Sequence, residues 1–197
     1  MFTGIIKTKS KVNIIKKTDK DLTIKVDLKN LNTEMKIGDS IAMNGVCLTI
    51  TKLEGTSANF DLMHETLKRT TFKDIKENDF VNLEDSLTLK DKIDGHIVYG
   101  EVDCEGTIIG KKQVGDSIIY SFKYPKEYKK YIVDKGRVTI DGASLSVIDS
   151  EIKEDEFSVS LIPHSLSILN IKDKDVNDKV NLEFDIFAKL MYKQRMA

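Results

Sequence analysis

The chain has 197 residues, of which 40 % are hydrophobic and 32 % charged, a make-up that suits a folded globular protein with room for two compact domains. Its 31 basic and 32 acidic residues leave a formal net charge of −1, so nothing favours nucleic acid or an anionic membrane as a partner. No apolar run approaches the roughly 20 residues that cross a bilayer, and MFTGIIKTKS lacks the basic-then-apolar pattern of a signal peptide. Cys47 and Cys104 are the only cysteines and make no CxxC motif. A bridge between them is therefore not expected, and a reducing cytoplasm is the natural setting.

In chain order, the segments 8–15, 22–28, 40–43, 47–53, 57–62 and 80–83 read as short strands rich in Ile, Val, Leu, Thr and Phe. Turn-formers separate them, and Asn44-Gly45 between β-branched runs is a hairpin signal, because both residues tolerate positive φ. The stretch 64–69 is the one short helix expected in this half. Residues 85–94 are polar and read as a linker. Strands follow at 102–109, 117–123, 138–140, 144–148, 157–162 and 180–184, with Pro125 opening a turn or short helix over 126–133. The tail 186–197 places Phe187, Leu190 and Met191 at helical spacing. A helix of that length is marginal alone, so it is expected to pack on its own barrels or on the same tail in other subunits.

The two halves repeat one another. Ser40–Ile50 (SIAMNGVCLTI) lies over 137–147 (RVTIDGASLSV), with Gly45 and Gly142 offset by 97 residues. KDIKENDFVNLE at 73–84 matches KDKDVNDKVNLE at 172–183 with eight of twelve positions identical. Asp61–Leu67 faces 160–166, and Phe2-Thr3-Gly4 faces Val98-Tyr99-Gly100. Matched blocks in the same order mean two copies of one module, at a period far longer than a solenoid repeat. Six short strands per module predict an all-β fold of two tandem six-stranded antiparallel β-barrels, since closure removes exposed edges. The expected division is 1–93, 94–185 and a C-terminal helix at 186–197.

Cys47 and Thr49 sit two apart on one predicted strand and share a face; Ser144 and Ser146 repeat that geometry. A face of small polar side chains is a poor core, and its duplication points to a polar ligand surface. The three histidines, His64, His96 and His164, have no metal-ligand spacing, so no metal site is expected. His96 beside Gly95 reads as structural, whereas His164 is placed to line a pocket. No G-x-S-x-G, Walker loop or G-x-G-x-x-G is present, and no cofactor is expected. Lys135, just before a duplicated strand, could reach a carbonyl or an anionic group.

These blocks, MFTGII, GDSIAMNGVCLT, FDLMHETLKRTT, DGHIVYGEVD, KGRVTIDGASLS, SLIPHSL and VNLEFDIFAK, resemble riboflavin synthase along essentially the whole chain. The resemblance implies two Greek-key barrels, a C-terminal helix that assembles a homotrimer, and one 6,7-dimethyl-8-ribityllumazine bound per barrel. Two such molecules would dismutate to riboflavin and 5-amino-6-ribitylamino-pyrimidinedione between barrels of neighbouring subunits, with no cofactor. Lumazine synthase is a further candidate partner. By resemblance, Gly4, Ile5, Ile6, Cys47, Leu48, Thr49, Asp61, Leu62, Met63, His64, Glu65 and Thr66 line the first-barrel site. Gly100, Glu101, Val102, Lys135, Ser144, Leu145, Ser146, Ile162, Pro163, His164, Ser165, Leu166 and Ser167 line the second. Ser40, Cys47, Glu101, Ser144 and Asp185 are the residues expected to move protons or hold the reacting pair. The main departure is Glu101, where the family usually carries histidine. Ser146, Leu169 and Asn170 depart as well. They keep a second reading open, a non-catalytic lumazine or flavin carrier on the same scaffold. A third, an oligonucleotide-binding barrel pair, is disfavoured by the near-zero charge and the lack of an aromatic stacking platform.

Overall fold

A computed structural model describes residues 1–31, 33–149 and 155–196. Strands β1 (Thr8–Lys17), β2 (Asp21–Asp27), β3 (Ser40–Met43), β4 (Val46–Glu54), β5 (Ser57–Met63) and β6 (Phe80–Asp85) form the first half. Strands β7 (Cys104–Val114), β8 (Ser117–Lys123), β9 (Arg137–Ile140), β10 (Ala143–Asp149), β11 (Glu156–Leu161) and β12 (Lys179–Phe184) form the second. Each set closes into a six-stranded antiparallel barrel. The order is β1-β2-β5-β4-β3-β6 in the first and, read around the ring, β7-β8-β11-β10-β9-β12 in the second. Adding six to each strand number turns one ring into the other, so the sequence repeat is a repeat of topology.

Alternation sets what each barrel encloses. In β2, Leu22, Ile24 and Val26 face inward, and Val12, Ile41, Met43, Phe60 and Val81 complete a closed apolar interior. The second interior is more aromatic. Phe122 stacks on Phe157 at 5.2 Å between ring centroids, and Tyr124 and Phe184 extend the cluster. Each fully buried large side chain of this kind contributes roughly 1.5–3 kcal/mol.

The Asn-Gly hairpin turn forms as expected, and Asp141-Gly142 repeats it in the second barrel. Asn44 and Gly45 have φ of 46° and 77°, and Asp141 and Gly142 have 44° and 82°. The two turns meet at the centre of the molecule. A Cβ on Gly45 would lie 2.8 Å from the Gly142 nitrogen, and one on Gly142 would lie 2.8 Å from the Gly45 nitrogen. Around them a buried polar network joins the barrels. Asn82 Nδ2 donates to the Asp141 carbonyl and Asn181 Nδ2 to the Asn44 carbonyl, both at 2.9 Å.

Helix α1 (His64–Arg69) forms where it is expected, and its repeat partner α2 (Pro163–Ile168) was not predicted. Pro163 and two serines mask a helix there, yet proline at the first helical turn costs nothing, because that N–H has no intrahelical partner. The tail helix α3 (Ile186–Arg195) is capped by Asp185, whose carboxylate accepts the Phe187 N–H at 2.9 Å. Ala197 lies outside the described residues. One side of α3 packs on its own chain, through an edge-on Tyr131–Tyr192 contact and a 2.5 Å Lys189–Asp103 ion pair. Phe187, Leu190 and Met191 remain exposed. No helix among the described residues is long and apolar enough to cross a membrane.

Candidate functional site

Strand alternation puts the polar pair on the outside of each barrel. In β4, Leu48 and Ile50 point into the core, so Cys47 and Thr49 face outward. Register adds two neighbours, since Ser40 lies directly across from Thr49 and Ala42 across from Cys47. In the second barrel Arg137 pairs with Ser146 and Thr139 with Ser144. The outer patches are thus Ser40, Ala42, Cys47 and Thr49 in one barrel and Arg137, Thr139, Ser144 and Ser146 in the other. Arg137 and Thr139 were missed in the sequence, although the 97-residue offset places them opposite Ser40 and Ala42.

Each patch sits where two strands part. The β4–β5 ladder stops at Ile50 and Phe60, so Thr49 and Asp61 flank a gap. The β10–β11 ladder stops at Val147 and Val159, leaving Ser146 and Ser160 in the same relation. The short helices begin at the far lip of each gap. Met63, His64 and Glu65 are exposed at the first, and Ile162, Pro163, His164 and Ser167 at the second. Leu62 and Leu166 turn into the cores, Thr66 and Ser165 are half-buried, and Leu145 packs against the second core. Leu48, Leu62 and Leu166 can therefore serve a ligand only through their backbone.

The segments before each barrel cross over. The resemblance places Gly4-Ile5-Ile6 on the first-barrel site and Gly100-Glu101-Val102 on the second, and the structure exchanges them. The Ser144 N–H donates to the Gly4 carbonyl at 2.8 Å, and Ile6 is buried in the second core. The Cys47 N–H donates to the Gly100 carbonyl at 2.9 Å, and Val102 packs against the first core. The two segments also pair with each other, through a bridge between Phe2 and Val98. Gly4 and Gly100 have φ of 74° and 78°, and a Cβ on either would press within 2.7 Å of Ser144 or Cys47, so only glycine fits.

Two buried carboxylates, Glu84 and Glu183, hold these crossings. Glu84 accepts the N–H of Thr3 and of Gly4 and the Thr3 hydroxyl, at 2.6–3.0 Å. Glu183 accepts the N–H groups of Tyr99, Gly100 and Glu101 at 2.7–3.1 Å. Burial pushes both acids above the usual carboxylate range, Glu183 to about 7, while the backbone donors pull the other way. The VNLE repeat was the available signal for them. Glu101 is exposed, held by its backbone next to the Gly100 carbonyl that takes the Cys47 N–H.

Lys135 adopts φ 62° in the turn before β9, where its repeat partner is Gly38 at 95°. Such a conformation is costly for a side-chain-bearing residue. Its N–H ties to the Val147 carbonyl at 2.9 Å, and the turn precedes the strand bearing Arg137. His96, read as structural, stands at the second patch, with Nδ1 2.7 Å from Ser144 Oγ. Asp185 caps α3 and also acts on His96 through its charge.

Ser40 borders a cleft of about 430 Å³ lined by Met35, Lys36, Asp85 and Ser86. A larger one of about 520 Å³, between Asn44, Phe80, Asn170 and Lys174, contains none of the expected site residues. Neither includes Cys47 or Ser144, which are half-buried under the segments that cross from the other barrel. Among the described residues no group of His, Cys, Asp and Glu is arranged to hold a metal.

The lumazine binding domain family matches residues 3–86 and again 99–185. The riboflavin synthase of Actinobacillus pleuropneumoniae is 38 % identical over 189 residues, covering 96 % of this chain and 87 % of that protein. The chain belongs to the riboflavin synthase family of enzymes. The Bacillus subtilis riboflavin synthase is 34 % identical over 98 % of this chain and 89 % of its own length. The Saccharomyces cerevisiae enzyme is 38 % identical over 82 % of this chain and 69 % of its own. Among solved structures, LumP complexed with riboflavin superposes with a TM-score of 0.84 at 23 % identity, covering 94 % of this chain and all of that one. LumP complexed with 6,7-dimethyl-8-(1'-D-ribityl) lumazine gives a TM-score of 0.82 at 21 % identity, over 94 % of this chain and 99 % of that one. At that identity the likeness to LumP establishes the fold.

Proposed function

We propose that this chain is a riboflavin synthase that dismutates two 6,7-dimethyl-8-ribityllumazine molecules into riboflavin and 5-amino-6-ribitylamino-pyrimidinedione. The observation that carries the proposal is the duplication of one polar patch, at parted strands, in both barrels of a chain from this family. A reaction between two copies of one substrate asks for two alike sites.

The C7 methyl of the lumazine is acidic because its anion delocalises into the ring. One lumazine loses that proton, and the other takes a nucleophile at C7 and gives up four carbons. Holding two ring systems face to face replaces a chance encounter, which is worth up to about 7–11 kcal/mol in favourable cases. The protein's share is then hydrogen bonding and one or two acid–base groups. Cys47, Thr49 and Ser40 face one ring, with Glu101 beside them. Ser144, Ser146, Arg137 and Lys135 face the other. Asp185 lies near the second patch.

Within the chain the two patches lie on different barrels, one around Cys47 on β4 and one around Ser144 on β10. The reading therefore places the reaction between the first barrel of one subunit and the second barrel of another, in a homotrimer gathered by the exposed side of α3. The setting is cytoplasmic, with lumazine synthase as a candidate partner. The carrier reading draws on Glu101, which cannot present a cation as an imidazolium can. Equilibrium titration with the lumazine under conditions without turnover tests the site count. Two molecules bound per chain support the proposal, and one bound per chain removes its basis.

A further inference from the structure

Ser144 and Cys47 occupy matched places, but their surroundings differ. Cys47 packs against Phe2, Ala42 and Val98 in a small apolar cluster. Ser144 meets an imidazole: His96 Nδ1 is 2.7 Å from its Oγ, and His96 Nε2 is 3.4 Å from the Thr139 hydroxyl. The contact is built tightly. The His96 N–H is fixed on the Thr3 carbonyl at 3.1 Å. A Cβ on the neighbouring Gly95 would fall 2.0 Å from that carbonyl and 2.9 Å from the Ser144 Cβ, so glycine alone lets the segment lie this close. Thr139 is itself buried, so the hydroxyl facing the far ring nitrogen lies inside the fold.

We propose that His96 is a positioning residue that accepts the Ser144 hydroxyl proton and so makes the second-barrel patch the proton-abstracting one. The proposal rests on the riboflavin synthase reading and deepens it. In the step, Ser144 Oγ takes a proton from the C7 methyl of the lumazine while its own hydroxyl proton passes to His96 Nδ1. The lumazine is left as its C7-methylene anion, Ser144 keeps a hydroxyl, and His96 becomes imidazolium. No oxidant, reductant or other reactant enters. The charged groups acting on the ring are Asp185 at the start of α3, which favours the imidazolium, and Arg137 on β9, which opposes it. Burial is the larger influence and lowers the ring's affinity for a proton, which favours the neutral form a proton acceptor needs. Among the described residues no imidazole is bonded to Cys47, so the two sites are chemically unequal.

The test is exchange of the C7 methyl protons of 6,7-dimethyl-8-ribityllumazine in D2O, followed by proton NMR. The native protein accelerates exchange above the buffer rate, with a rate that falls as pH drops below the ordinary histidine range. His96→Asn, whose amide can still hold the Ser144 hydroxyl but cannot take its proton, slows exchange at least about tenfold and loses that acidic limb. Its affinity for the lumazine, read by fluorescence, stays within about twofold. On a Ser144→Ala background the same change has no further effect. Native exchange at the buffer rate, or His96→Asn exchanging as fast as the native chain, overturns the proposal. Should His96→Asn not fold, Ser144→Ala alone decides, because an acidic limb that persists without Ser144 also overturns it. Exchange needs no complete turnover. A chain that exchanges but makes no riboflavin would therefore sink the proposed function and leave the His96–Ser144 pairing standing.

Discussion

Asn82 and Asn181 perform one task from opposite barrels. Asn82 spans the gap to the Asp141 carbonyl and takes the Asn170 N–H on its Oδ1; Asn181 spans back to the Asn44 carbonyl and takes the Thr71 N–H. All four bonds are 2.8–2.9 Å long, and both asparagines are buried. The barrels are therefore joined by polar groups that have no water to fall back on. Asn82→Ala strands a buried carbonyl and a buried N–H, which costs on the order of 1–3 kcal/mol each. Asn181→Ala should cost a similar amount. Urea denaturation of the two variants checks this, and a loss below about 0.5 kcal/mol in both would show that the network contributes little.

Glycine at the meeting turns is required by space as well as by backbone. Gly45→Ala combines a left-handed φ with a contact to the Gly142 backbone, whereas Gly38→Ala has a left-handed φ and nothing within 4 Å. Gly38→Ala should lose about 1–2 kcal/mol, the cost of a side chain in that conformation. Gly45→Ala should lose clearly more, because backbone must shift. Equal losses in thermal melts would mean the turns do not press on each other.

Glu183 makes stability depend on pH in a defined direction. Its carboxyl is raised from 4.5 to about 7, chiefly by burial. Across that window the folded chain keeps a proton that the unfolded chain has released. Stability therefore falls as pH rises from about 4.5 to 7, and this group adds no slope below. Glu84, also raised by burial, adds a slope of the same sign. Glu183→Gln should flatten the profile in part. A profile as steep as the native one would remove Glu183 as its source.

Glu101 is exposed, with its N–H fixed on Glu183 next to the Gly100 carbonyl that takes the Cys47 N–H. If it acts in the reaction, Glu101→Gln lowers kcat while leaving lumazine affinity within about twofold. Unchanged turnover would take it out of the mechanism.

Removal of 187–197 deletes the exposed Phe187, Leu190 and Met191 but leaves both barrels whole. Sedimentation should then give monomers where the full chain gives trimers. A truncated chain that remains trimeric would place the assembly contacts on the barrels.

The barrels were legible because duplication wrote each strand twice. Asn-Gly and Asp-Gly fixed the central hairpins, and matched VNLE blocks fixed the closing strands. The patches were half legible: alternation showed that Cys47 and Thr49 share a face, and its small polar side chains showed that the face is not the core one. Arg137 and Thr139 needed cross-strand register, which a period of two along one strand does not give. The exchange of Gly4 and Gly100 between barrels was invisible, because chain crossing depends on the long-range Phe2–Val98 bridge and the Glu84 and Glu183 anchors. His96 was passed over because a lone histidine beside glycine carries no pattern until Ser144 is folded against it.

The most direct measurement is incubation of the purified chain with 6,7-dimethyl-8-ribityllumazine alone, with products resolved by chromatography. The account predicts riboflavin and 5-amino-6-ribitylamino-pyrimidinedione in equal amounts, each one for every two lumazines consumed. Tight binding with no riboflavin formed would contradict it and leave the chain a carrier.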